Sequence, residues 1–91
     1  MSITYDPNKN QINIQKHGLD FEQVYDFDWD SAWIYQDNCY DYDEICYIAY
    51  GMLEKRLHFV CFAETDVGIR VISFRKANKR EVKSYEQKTL N

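Results

Sequence analysis

Two runs, "EICYIAYGML" at 44–53 and "RLHFVCFAE" at 56–64, are near-continuous stretches of β-forming residues separated only by "EK". That arrangement predicts a hairpin of two long strands joined by a tight polar turn. Both runs are apolar at successive positions, which predicts central strands covered on at least one face. "GIRVISFR", at 68–75 after the turn-like "ETDV", reads as another long strand, and "SAWIYQ" at 31–36 as a weakly alternating one ahead of the hairpin. An antiparallel meander of about four strands is therefore the frame into which the rest of the chain must fit.

Helix punctuation flanks this frame. "SITY" is a short β-type start, after which Asp6 can act as an N-cap with Pro7 at the first helical position, where its missing N–H costs nothing. Gly18 suits the left-handed residue that ends such a helix. Asp20 can cap a second helix with Gln23 three residues on, Leu19 and Val24 form a hydrophobic staple, and Phe21, Val24 and Tyr25 share a helical face. From Asn78 onward the pattern is helical again, with Val82 and Tyr85 on one side. The order β-α-α-β-β-β-β-α describes an α+β chain: about four antiparallel strands, a short N-terminal strand, two short N-terminal helices and a C-terminal helix.

Residues 1–91 hold no repeat or Pro/Gly-rich linker, and Pro7 is the only proline, so a single domain is expected. A hydrophobic content of 45% with eight tyrosines is ample for a core. No run approaches the roughly 20 apolar residues of a membrane span, and the start turns polar within six residues, so no membrane contact, no signal peptide and a cytoplasmic location are expected. Cys39, Cys46 and Cys61 are odd in number and lack C-x-x-C spacing, and His17 and His58 complete no ligand pattern. The cysteines read as small buried hydrophobes, and neither a metal nor a cofactor is expected.

Charge is distributed unevenly. The net −4 divides into −8 over residues 1–50 and +4 over residues 51–91. Four cations, Arg75, Lys76, Lys79 and Arg80, fall within "FRKANKRE" at the junction of the last strand and the last helix. Asn78 and Glu81 form an Asn-x-x-Glu capping box there, which puts Lys79 and Arg80 in the first turn, against the helix dipole. Two readings stand: a solvated basic face, or an anion site at a helix N-terminus suited to a phosphodiester. A regular strand would place Ile69, Val71, Ser73 and Arg75 on one side and Arg70, Ile72 and Phe74 on the other, separating Arg70 from Arg75 unless a bulge intervenes. In "NIQKHG", Lys16 and His17 close the first helix, where cations are welcome on electrostatic grounds alone. The same pair could also serve phosphate chemistry, an imidazole moving protons and an ammonium stabilising a pentacovalent phosphate.

Taken together, "YDPNKNQINIQKHGLDFEQV" and "IRVISFRKANKREVKSYE" resemble the two signature segments of the BrnT family of type II toxins, ribonucleases of the RelE-like superfamily, and "YIAYGML" is similar to its central strand. The resemblance implies a RelE-like sheet with helices packed on one side. It implies RNA cleavage without metal, by attack of a ribose 2′-hydroxyl on the adjacent phosphate, which would inhibit translation and growth. It also implies a BrnA-like antitoxin with a ribbon-helix-helix domain, with operator DNA contacted only through that antitoxin. Carried over by position, Lys16, His17, Arg75 and Arg80 would be catalytic, and Arg70, Ser73, Lys76 and Tyr85 would contact RNA; Glu81 also lies in the motif, and Lys79, a candidate from the basic cluster alone, would join the RNA contacts. Two positions depart from the family pattern. Phe74 stands where a small residue is usual, and would narrow the site or offer a base a stacking platform. Cys46 stands where an arginine is usual, which keeps open an alternative: an interaction protein of weak or no activity that binds the antitoxin and co-represses the operon.

Overall fold

In a computed structural model, which describes residues 2–37 and 45–89, the chain forms a five-stranded sheet with helical segments on both faces. The strands are β1 (Ser2–Thr4), β2 (Trp33–Asp37), β3 (Cys46–Leu53), β4 (Arg56–Glu64) and β5 (Gly68–Lys76). The helices are α1 (Pro7–His17) and α2 (Lys79–Thr89), with a 3-10 helix at Phe21–Asp26. Element order and α+β class agree with the sequence reading. Sheet order is β1-β5-β4-β3-β2; β2 to β5 form the antiparallel meander, and β1 joins its far edge parallel to β5. Cys39 lies outside the described residues, whereas Cys46 is buried and Cys61 half-buried.

The β3–β4 hairpin closes through Glu54 and Lys55 at φ of 50° and 65°. Two successive left-handed residues match the twist of the strands, but glycine or asparagine would hold that shape with less strain. Because β3 and β4 are apolar on both faces, both must be covered. On one face Phe21, Val24, Val60, Phe62, Val71 and Phe74 build the larger core; on the other, Ile48, Tyr50, Leu57 and Ala77 pack beneath Val82 and Tyr85 of α2. Helices packed on one side only, as the resemblance implied, would have left Ile48 and Leu57 in water.

Asp6 caps α1 by accepting from the Asn8 N–H at 2.8 Å, and Gly18 ends it at φ 69°. The residues that α1 buries are Asn10 and Asn13. The Asn13 amide donates to the Phe74 carbonyl (2.8 Å) and to the Leu19 carbonyl (2.9 Å), and accepts from the Phe74 N–H (3.1 Å). It thus gives the edge of β5, beyond the end of β1, the bonds a neighbouring strand would give. Asn10 likewise accepts from the Phe21 N–H and donates to Asp20. Asp20 and Gln23 form the expected capping box, but the turn they start is 3-10. With about three residues per turn, Phe21 and Val24 superpose and face the core while Tyr25 rotates outward. Tyr25 is accordingly 51% exposed, not on the shared face expected of it.

Candidate functional site

The pairing of β5 with β4 shifts register between Cys61 and Phe62: Phe62 lies opposite Val71, Cys61 opposite Ser73, and Ile72 is the extra residue. This bulge reverses the side-chain parity beyond it. Val71 and Phe74 both reach the larger core, while Arg70, Ser73 and Arg75 pair with Ala63, Cys61 and Phe59. Arg70 and Arg75 therefore share the face on which α2 packs. Phe74, on the opposite face, is wholly buried beside His58. Its ring neither narrows a surface site nor offers a base a platform, which corrects the expectation placed on it.

The centre of the α2 face is the carboxylate of Glu81. Its Oε1 accepts from Arg75 Nη1 (2.8 Å) and the Asn78 N–H (2.9 Å); its Oε2 accepts from Arg75 Nη2 (3.0 Å) and the Tyr50 hydroxyl (2.6 Å). Four donors fill the accepting positions of one carboxylate. In return the Glu81 N–H donates to Asn78 Oδ1 (2.8 Å), completing the capping box. The Arg75 hydrogen bonds, followed by those of Tyr50 and Asn78, hold the Glu81 carboxyl down at about 2 despite partial burial. Tyr50 is pushed up, first by burial and then by its bond to Glu81, so its hydroxyl stays protonated. Arg75 is raised by the same carboxylate and lies 4.0 Å over the Phe59 ring. It is a fixed, permanent cation, oriented through a bidentate pair.

The other cations of "FRKANKRE" diverge. Strand alternation sends Lys76 to the opposite face, opposite His58, in a recess beside Leu19 and Gln23. Successive residues of a helix point about 100° apart, so Lys79 lines a 600 Å³ groove with Met52, Leu57 and Lys83 while Arg80 turns to a separate 260 Å³ cavity. That cavity is walled by Trp33, Tyr35, Tyr50 and Tyr85, and the Tyr85 hydroxyl donates to the Ser31 carbonyl at 3.2 Å. Lys16 and His17 meet Ser73 and Ile72 in a third hollow of 240 Å³ between α1 and the bulge. It shares no lining residue with the Arg80 cavity.

Residues 5–81 match the family model described as "Ribonuclease toxin, BrnT, of type II toxin-antitoxin system". The chain belongs to the BrnT family. Among solved structures, that of the Brucella abortus ribonuclease toxin BrnT superposes with a TM-score of 0.68 at 31% identity, over 87% of this chain and 99% of the Brucella chain. No curated protein sequence matches.

Within this BrnT-family chain, the sequence pointed to Arg75, Arg80, Glu81 and Tyr85 but passed over Trp33, Tyr35 and Tyr50, which wall the cavity beside them, and Phe59, whose ring lies under Arg75. A signal was present: Trp33 and Tyr35 are two apart on one strand, hence on one face; the β2–β3 pairing that sets Tyr50 opposite Trp33 leaves no such mark. Asn13, also passed over, positions β5. Cys46 lies in one row across the sheet with Ala63 and Arg70, at the end of the face away from Arg75. Among the described residues, no three His, Cys, Asp or Glu side chains group as a metal site, and no helix is long and apolar enough to cross a membrane.

Proposed function

We propose that this chain is a toxin that cleaves RNA internally and without a metal ion. A ribose 2′-oxygen attacks the adjacent phosphorus, its proton passing to a base on the protein. The P–O5′ bond breaks, and the departing oxygen takes a proton, leaving a 2′,3′-cyclic phosphate and a 5′-hydroxyl. Such chemistry needs proton carriers and cations that meet the charge developing on the phosphate oxygens. The observation that carries this reading is the Arg75–Glu81–Tyr50 arrangement, which fixes a guanidinium on the sheet face through the two residues, Glu81 and Tyr50, that also line the cavity of exposed Arg80. Arg75 and Arg80 hold the phosphate. Lys16 or His17 carries protons from the hollow at Ser73, two residues from Arg75 along β5. Arg70, Ser73, Lys79 and Tyr85 contact the RNA on either side, with Lys76 reaching its backbone from the far face. Glu81, with its accepting positions filled and its carboxyl at about 2, braces Arg75 rather than acting as a base.

RNA cleavage of this kind inhibits translation and growth. The partner is a BrnA-like ribbon-helix-helix antitoxin, which neutralises the toxin and carries the complex to operator DNA; the acidic first half of the chain suits a basic partner. Expression of the chain alone is expected to arrest growth, and Arg75→Ala or Arg80→Ala to relieve the arrest. Full toxicity in both variants would overturn the assignment. One observation favours a second reading, a protein that binds the antitoxin without cutting RNA: the hollow holding Lys16 and His17 and the cavity holding Arg80 have no wall in common. Antitoxin binding by a chain that arrests no growth would decide for it.

A further inference from the structure

We propose that the 260 Å³ cavity between the β2–β3 edge and α2 is a subsite for one unpaired nucleobase of single-stranded RNA. The inference rests on the ribonuclease reading for its biological meaning, but on the cavity's own chemistry for its ligand. Three aromatic side chains from adjacent strands stand side by side on one sheet face. Trp33 and Tyr50 are nearly parallel, 15° apart with centroids at 6.2 Å; Tyr35 and Tyr50 are 26° apart at 6.3 Å; Trp33 and Tyr35 lie 4.8 Å apart. Such a wall accepts any base by stacking and has no counterpart in recognition of a duplex, whose bases are already stacked.

The polar atoms around the wall sort into those already committed and those on the rim. The Glu81 carboxylate is filled by four donors and the Tyr50 hydroxyl is one of them, so neither presents its charge or its proton to a guest. Arg80 and Ser84 remain at the rim, a cation and a hydroxyl within one helical turn. The first suits the phosphate next to the base, and the second the base edge. The wall already holds a cation: Lys88 Nζ, on an exposed side chain, lies 3.4 Å from the centroid of the Trp33 ring, so the ring face is reachable from the surface. A stacked base would displace that ammonium toward the RNA backbone. The bulge in β5 sets Arg75 on the same face, so the base would lie next to the phosphate that Arg75 and Arg80 hold.

The test is binding of a short 2′-O-methyl RNA strand, which cannot be cut, followed by fluorescence anisotropy across a salt series. Trp33→Leu and Tyr35→Leu are each expected to weaken binding by about 5- to 100-fold, the range of losing one stacked base, with the salt slope unchanged because no phosphate contact is lost. Trp33→Phe, which keeps a ring, is expected to recover most of the affinity, separating stacking from misfolding. Ser84→Ala is expected to change the preference among homopolymers more than the mean affinity. Wild-type affinity in both leucine variants would overturn the subsite, as would a wild-type chain that binds no single strand. Unchanged RNA binding with lost antitoxin binding would overturn it too, marking the wall as a protein interface. Binding that needs the wall in a chain that cuts no RNA would leave the subsite standing and remove the ribonuclease reading.

Discussion

Glu81 is where the local rules of a helix start and the long-range rules of a site meet. The capping box it forms with Asn78 could be read directly from the spacing, because both partners lie within one turn. Its bonds to Arg75 and Tyr50 could not, since Tyr50 is 31 residues away and reaches Glu81 only through the sheet. Glu81→Gln keeps the shape and removes the charge, and is expected to destabilise the fold at neutral pH by about 1–2 kcal/mol, discounted for partial exposure. Its carboxyl is held below its ordinary 4.5, down to about 2, so the folded state favours the ionised form. That stability is present above 4.5 and is lost as pH falls toward 2; urea unfolding at stepped pH should show wild type and Glu81→Gln converging across this window. His58 occupies a different one. It is 3% exposed, and burial pushes its imidazole below the ordinary 6.5 while the Arg56 carbonyl accepts from Nδ1 at 2.8 Å. Protonation therefore favours the unfolded chain, and wild-type stability should decline as pH falls below 6.5. His58→Phe is expected to abolish that slope in thermal unfolding between about pH 7.5 and about pH 5.5, before Glu81 titrates.

At the scale of the element, the punctuation of the chain was nearly sufficient. Asp6, Pro7 and Gly18 delimit α1 as their chemistry requires, and the two-residue "EK" turn makes the hairpin. Strand parity failed at one point only, since a bulge is a property of two paired strands and leaves no mark in either one alone. That single extra residue, Ile72, explains why Phe74 is a core residue and why Arg70 and Arg75 share a face. The docking of α1 was illegible for a related reason: it buries two asparagine amides instead of an apolar stripe, and Asn13 meets a backbone 61 residues away. Asn13→Leu leaves the Phe74 N–H and carbonyl without that partner and is expected to cost roughly 2–4 kcal/mol in urea unfolding, with faster hydrogen exchange at the Phe74 amide. The hairpin predicts the opposite sign. Glu54→Asn with Lys55→Gly relieves two left-handed residues and should raise stability by about 1–2 kcal/mol in the same assay.

For the molecule as a whole, the double-sided sheet divides the labour. The face beneath the 3-10 helix carries most of the apolar core, and the α2 face carries Arg75, Glu81 and the aromatic wall. The acidic first half and basic second half place the positive charge on β5 and α2, the elements that border this face. Membership of the BrnT family rests on nearly the whole length of the chain, and the site proposed here rests on how β5 and α2 meet. The role proposed for Arg75, braced by Glu81, is to stabilise the charge of RNA cleavage with no metal taking part. Its most direct test is to incubate the purified protein with a long RNA in excess chelator and to identify the ends produced. The wild type is expected to give 2′,3′-cyclic phosphate and 5′-hydroxyl ends, and Arg75→Ala a rate lower by about 100-fold or more. Cleavage that requires an added divalent cation, or Arg75→Ala cutting at the wild-type rate, would contradict it.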